Sequence, residues 1–336
     1  MADLQINNLS DFAKNAKILW TKGKDSASKA ARNSGLFKEV DIPMESGNTR
    51  EFTEIDLEEY ADVKGESDQA SHARVQQGYT KVGKLYRVAK DITISYEMRT
   101  QGKYMEIKRK LTNLGKQTSN RMDLDMTHRI TYGNDTSYTD LNGRTIDTSI
   151  GDGKSLFDTG HTVKGGSDTF RNILANNPQL STTSLESMEQ MRNNNTINQF
   201  GEKMTMKADI LFTTDDPNTV RTAREILRSS GSTEDYKNVG VENTFQGNYR
   251  HVILPRLATD ASGKVDSNKE KYWGLASSDM STAYLGVHEE PRIKSPGSID
   301  SKDFSNDDWK FGARAGYMIV IVTGGWISLS KGDATT

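Results

Sequence analysis

The sequence predicts an α+β fold in which a central body carries long extensions, and three observations predict it. Residues 37–97 alternate in period two with little apolar content, which reads as two extended limbs. Residues 103–131 carry a single apolar stripe at helical spacing. From Pro178 onward helix and strand signals are mixed, as in a body that packs helices on a sheet.

The 336 residues suit about two domains, or one body with large extensions. Hydrophobic residues make up only 34% and the mean hydropathy is −0.72. A lone chain therefore has little to bury beyond its body while it must still order its extensions, and contacts between chains would supply the missing burial. The net charge of −2, from 44 basic and 46 acidic residues, gives no global field toward nucleic acid, so any such contact must come from a local patch. The absence of cysteine excludes disulfides, thiolate metal sites and cysteine nucleophiles. The first ten residues lack the basic and apolar regions of a secretory signal, and the apolar run 317–322 is too short to span a bilayer. A soluble chain, unprocessed at its beginning, is expected.

Ser10 is placed to cap a first helix through Phe12, Ala16, Leu19 and Trp20, while the Lys-, Ser- and Gly-rich stretch 21–35 reads as mobile or ordered only by a partner. Val40, Ile42 and Met44 alternate, as do Thr53, Ile55 and Leu57, with turn chemistry at 45–48; Ile92, Ile94, Tyr96 and Met98 restore the period on the return. The limbs segregate charge. Glu45, Glu51, Glu54, Asp56, Glu58, Glu59, Asp62 and Glu66 lie going out, and Arg74, Lys81, Lys84, Arg87 and Lys90 coming back. Pairing within one hairpin and docking onto a neighbouring subunit both fit; the candidate inter-subunit contacts are Glu54, Asp56, Glu58, Glu59, Lys81, Lys84 and Arg87.

In the long helix Tyr104, Ile107, Leu111, Leu114, Thr118, Met122, Met126 and Ile130 make one face, with Gly115 as an expected point of bending. Loops and short strands are expected over 133–177. Thr183 and Glu186 form a capping-box pattern, Asp216-Pro217 starts another helix, and strands are expected at 209–213, 252–254, 272–276, 284–287 and 317–322, with a last one ending near Leu329.

Catalytic motifs are sparse. Gly151-Asp152-Gly153-Lys154-Ser155 ends like a phosphate-binding loop but has Thr148 where the first glycine is needed. Asp158-Thr159-Gly160 has the aspartic-protease tripeptide without a second copy, leaving Asp158 as the one candidate for a hydrolase reading. His72, His128, His161, His251 and His288 have no metal-site spacing. Arg221, Arg224 and Arg228 line one side of a helix, either as a solvated face or to meet phosphate or carboxylates across an interface.

The order of arm, extended loop, long helix, α/β body and returning C-terminal strands resembles the major capsid proteins of tailed phages with the Hong Kong 97 fold. The closing run Asp307-Asp308-Trp309-Lys310-Phe311-Gly312-Ala313-Arg314-Ala315-Gly316-Tyr317, an apolar strand and then Trp326 to Gly332 are similar to that family's end. Asp152 to Phe157 followed by His161 is similar to the Mu-like major head subunit branch. The resemblance implies an N-terminal arm at 1–36, an extended loop at 37–97, a peripheral domain at 98–177 and 279–332 with a spine helix at about 103–131, and an axial domain at 178–278. It implies a non-enzymatic subunit without cofactor that forms hexamers and pentamers of an icosahedral shell in the virion, assembled in the host bacterial cytoplasm around double-stranded DNA. The partners implied are a separate scaffolding protein, a portal protein and a decoration protein. Lys14, Lys17, Lys22, Lys24, Lys29, Lys108, Arg109 and Lys110 are the candidate DNA-facing patch. An encapsulin-like compartment, or a phage tail or connector protein, is the alternative.

Overall fold

The computed structural model describes residues 9–43, 47–56, 60–66, 69, 72, 76–166, 168–198, 200–204, 206–231, 243–295 and 308–333. The chain runs through α1 (Leu9–Asp25), β1 (Lys38–Asp41), β2 (Thr49–Asp56), β3 (Gln76–Lys84), β4 (Tyr86–Ile94), α2 (Tyr96–Thr100) and α3 (Tyr104–Thr131). Short pairs follow, β5 (Ser137–Thr139) with β6 (Thr145–Asp147) and β7 (His161–Thr162) with β8 (Thr169–Phe170). Then come α4 (Thr182–Asn195), β9 (Ile210–Thr213), α5 (Pro217–Arg228), β10 (Arg250–Ile253), β11 (Trp273–Ala276), β12 (Ala283–Lys294), β13 (Trp309–Ile321) and β14 (Ile327–Ser330). The fold is α+β, as expected.

The first sheet has the order β1-β12-β13-β4. Alternation explains its inner face: Trp309, Phe311, Ala313, Ala315, Tyr317, Ile319 and Ile321 of β13 are all buried. The expected strand at 317–322 is thus only the end of a 13-residue one, because the glycines and alanines at 312–316 are flanked by large inward residues that keep the pattern going. The antiparallel β2–β3 hairpin covers the outer face at 318–322, where Ile42, Phe52, Met318, Val320 and Val322 cluster. A Cβ on Gly83 would sit 2.5 Å from the Val320 side chain, so the absence of one lets the hairpin lie flat on the sheet.

Two readings of the extended loop are corrected. β1 pairs with β12 in parallel and not with β2, since its Val40 and the following Ile42 dock against the first sheet. The returning strand pattern ends at Ile94 and does not continue through Tyr96 and Met98: Ser95 caps α2 by accepting from the Met98 N–H, and Met98 is buried as a helical residue.

The 28 residues of α3 give a rod of about 42 Å. Its stripe is buried as the spacing predicts, with Ile107, Leu111 and Leu114 joining Phe12, Trp20, Ile94 and Phe311, and Met122, Met126 and Ile130 joining the main core. Burial of Phe12, wholly covered, is worth about 2–3 kcal/mol. Gly115 is not a hinge but a contact: a Cβ there would lie 2.1 Å from the Trp20 carbonyl oxygen, and one on Gly23 would lie 2.0 Å from the Thr112 carbonyl. The two helices cross backbone to backbone.

The stretch expected to be mobile is docked within the chain. α1 begins at Leu9, one residue before the expected cap, and continues through Asp25; Ala31 and Leu36 are then wholly buried in the main core. The apolar spacing is too sparse to signal this, because Ala31 and Leu36 suffice to anchor it.

The second sheet has the order β10-β9-β11-β14. It is covered on both sides, with Ile210, Phe212, Ile327 and Leu329 facing the main core and Leu211 and Leu275 facing α4 and α5. β14 pairs with β11, so residues 327–330 lie in this sheet, whereas the expected division assigned 279–332 to the other body. The turn at Gly324-Gly325 redirects the chain between sheets, and Gly324 is tight against the Leu156 carbonyl and Asn172. The α4 cap lies two residues earlier than expected: Ser181 and Ser184 form the reciprocal box. Asp216 starts α5 as expected, accepting from the Thr219 N–H at 2.9 Å.

Replacing Gly115 by Val should separate α1 from α3 and destabilise the subunit by on the order of 1–3 kcal/mol. Denaturant unfolding of the variant, with proteolysis of α1 as a second readout, checks this. An unchanged midpoint and unchanged proteolysis would contradict the close crossing.

Candidate assembly surfaces

The arm, α3 and the second body meet at Asp123. Its side chain is buried, accepts from the Ala31 N–H at 2.8 Å and the Ser28 hydroxyl at 3.2 Å, and pairs with Arg256, which also donates to Asn120. Burial raises the Asp123 carboxyl, against the lowering pull of the Ala31 N–H and Arg256. Two residues on, and on a different side of α3, Asp125 accepts from the Tyr317 hydroxyl at 2.6 Å and pairs with Arg121 at 2.8 Å, and Arg121 also reaches Asp140 at 2.9 Å. These ties lock α3 to β13 and to the loops that follow it.

The arm has a second anchor on the surface. Arg32 pairs with Glu39 of β1 and with Glu290 of β12, the latter at 2.6 Å. These hydrogen bonds, led by that to Glu290, raise Arg32, and the same contact holds Glu290 below the usual carboxylate range.

Of the hairpin residues expected to reach another subunit, Lys81 is engaged at home. It donates to Asp147 at 2.7 Å and to the Ser149 hydroxyl at 2.7 Å, tying β3 to β6 rather than to the acidic limb. Lys84 sits opposite Thr49 at the base of the hairpin, and Arg87 opposite Gly316 on β4; both are exposed. Glu54 lies half-buried beside a cavity of about 400 Å³ that also involves Tyr79, Lys164, Asn195 and Trp326. Asp56 ends β2, paired with Gln76, while Glu58 and Glu59 lie outside the described residues, as do Glu45 and Arg74. Beyond them Tyr60 returns to the body, its hydroxyl donating to the Lys203 carbonyl at 2.8 Å.

The basic patch is divided between two crossing helices. Lys14, Lys17 and Lys22 are exposed on α1, Lys24 lies over the Trp20 ring at 5.8 Å, and Lys29 is 3.9 Å from Asp25. On α3 Arg109 is exposed and Lys108 half-buried, while Lys110 contacts the Met98 sulfur at 3.2 Å and Glu106 at 4.0 Å. The crossing at Gly115 brings Lys24 beside the middle of α3.

The segment resembling a phosphate loop is filled by its own side chains. Lys154 donates to the Gly160 carbonyl, the Ser155 hydroxyl to the Phe157 carbonyl at 3.0 Å, and Asp152 accepts from His161 at 2.8 Å. Asp158 accepts from the Gly160 N–H at 2.8 Å and so closes its own turn. Among the described residues no group of three His, Asp or Glu is arranged for a metal, and no helix is long and apolar enough to cross a membrane. His128 is buried, 2.9 Å from the Thr259 hydroxyl and edge-on to Tyr132 and Tyr138. Burial, with Lys269 and Arg121 close by, lowers it to about 4.

Sequence reasoning missed Asp123, Arg256, Arg32 and Asp147, whose roles rest on partners far along the chain. A charged residue inside an apolar helix stripe, as Asp123 is between Met122 and Met126, was the one available sign.

Comparison with known proteins gives no matching family model and no match among curated proteins. Among solved structures the chain is similar to one from Microbacterium phage Oxtober96, at 12% identity over 90% of each chain with a TM-score of 0.48. It is similar to one from the capsid of the cyanophage P-SCSP1u, at 11% identity over 88% of this chain and 85% of that one, TM-score 0.45. It is also similar to one from a virus-like particle of Pyrococcus furiosus, at 10% identity over 94% and 97%, TM-score 0.44.

Two outcomes follow from these sites. Asp123→Ala should cost about 3 kcal/mol by stranding Arg256 and the Ala31 N–H, and should release 26–36 to protease before the body unfolds; simultaneous cleavage of arm and body would refute the anchor. The lowered His128 makes the unfolded chain bind a proton that the folded one refuses, so stability is lost as pH falls from 6.5 toward 4, by up to about 3 kcal/mol. In His128→Gln that part of the acid slope should disappear in urea titrations at pH 7, 5.5 and 4.

Proposed function

We propose that this chain is the major capsid protein of a tailed phage, a non-enzymatic subunit that assembles into hexamers and pentamers of an icosahedral shell around double-stranded DNA. The observation that supports it is the association, in one chain and in the order the sequence resemblance implies, of an arm helix, a β hairpin on an outer sheet face, a long helix and a two-sided second sheet. One side of these extensions packs on the chain's own body, and their other side adds exposed polar surface. In an obligate interface of order 2,000 Å² or more they offset the low apolar content of the body.

On this reading residues 1–36 are the arm and 37–97 the extended loop. The peripheral domain is 98–177 and 279–332 and the axial domain is 178–278, with β14 of the former pairing with β11 of the latter. The Mu-like branch, the separate scaffolding protein, the portal and decoration partners and assembly in the host bacterial cytoplasm belong to the same proposal. So does the role of Lys14, Lys17, Lys22, Lys24, Lys29, Lys108, Arg109 and Lys110 as a non-specific, salt-sensitive contact to packaged DNA.

Negative-stain microscopy of the purified protein, alone and with a co-expressed scaffolding partner, tests the proposal. Shells, or rings of five and six that close with the partner, are expected; a monodisperse monomer or dimer in every condition would refute it. Closed shells that hold a protein cargo and no genome would instead establish the encapsulin-like alternative. Asp158→Asn should leave assembly unchanged, since that carboxylate only closes a turn.

A further inference from the structure

The helices over the second sheet carry two charged faces with few partners among the described residues. Arg221, Arg224 and Arg228 lie three and four residues apart on the outer side of α5, about 10 Å from first to last. All three are exposed, and among the described residues the only carboxylate paired with any of them is Glu225, 3.5 Å from Arg221 in an exposed pair of little worth. With Pro217 and Val220 they border an open groove. On α4 the exposed Glu186 and the half-buried Glu189 lie one turn apart and form no ion pair with any described residue. Burial, and then the neighbouring Glu186, push the Glu189 carboxyl up.

We propose that these faces are the two halves of one interface between copies of this chain, in which Arg221, Arg224 and Arg228 of one copy receive Glu186 and Glu189 of the next. The inference rests on the shell reading above. α4 and α5 cover the same face of the second sheet, as Leu185 and Met188 of one and Ala223, Ile226 and Leu227 of the other share a cluster. Each copy therefore offers a cationic and an anionic patch on one rigid layer. Where one patch meets a different patch of the next copy the contact is heterologous, and its repetition closes a ring. Arginine suits this task because its planar fork binds a carboxylate through two parallel hydrogen bonds. A nucleic acid is the weaker occupant: it would satisfy the arginines and be repelled by the carboxylates on the adjoining helix.

The test is a charge swap on the full chain. Arg224→Glu with Arg228→Glu, and separately Glu186→Arg with Glu189→Arg, should each lower the fraction eluting as rings or shells by about tenfold or more. Far-ultraviolet dichroism should be unchanged, as Arg224, Arg228 and Glu186 are exposed and Glu189 is only half-buried. The four substitutions combined should restore assembly. A single-face variant that assembles like the wild type would overturn the proposal, and so would folded single-face variants that fail with no rescue in the combination. An α5 variant that assembles normally but retains less DNA would also overturn it, assigning the stripe to nucleic acid. The wild-type control separates the two readings, because a wild type that forms no assemblies refutes the shell itself before any variant is compared.

Discussion

The buried carboxylate of Asp123 is the constraint on which the rest of the subunit depends. An ionised group inside a core is tolerable only with its partners in place, and here a carboxylate in the middle of the long helix takes its partners from two distant parts of the chain, the end of the arm and the turn after β10. Satisfying one charge therefore fixes three elements at once. The glycine crossing of α1 over α3 adds the steric half of the same constraint, since Gly23 and Gly115 permit an approach that any side chain would block.

The architecture was legible where periodicity carried it. The α3 stripe gave its length to within a residue, Asp216-Pro217 gave the start of α5, and the apolar alternation of 317–321 gave the centre of the first sheet. What escaped was pairing. Nothing in Val40 or Ile42 says that their strand will run parallel to residues 284–287, because a strand's alternation fixes its faces and not its neighbours. The arm was misread for a related reason: its Lys- and Ser-rich composition describes its solvent side, while Ala31 and Leu36, too few to form a pattern, hold it down.

The candidate surfaces were legible only as charge. Segregation of acids and bases along the loop was plain, but charge alone does not name a partner, and Lys81 is consumed by Asp147 and Ser149 of its own chain. The arginines of α5 were visible as a helical stripe. The carboxylates of α4 became meaningful once folding set both helices on one sheet face.

The first sheet joins residues 38–41 and 86–94 to strands at 283–294 and 309–321, and the second is completed by residues 327–330. Both sheets thus wait for strands more than 200 residues beyond the first of their neighbours or at 327–330, and such long-range closure is slow compared with local helix formation. A nascent chain on the ribosome can form α1 and α3 but has no floor on which to lay its hairpin.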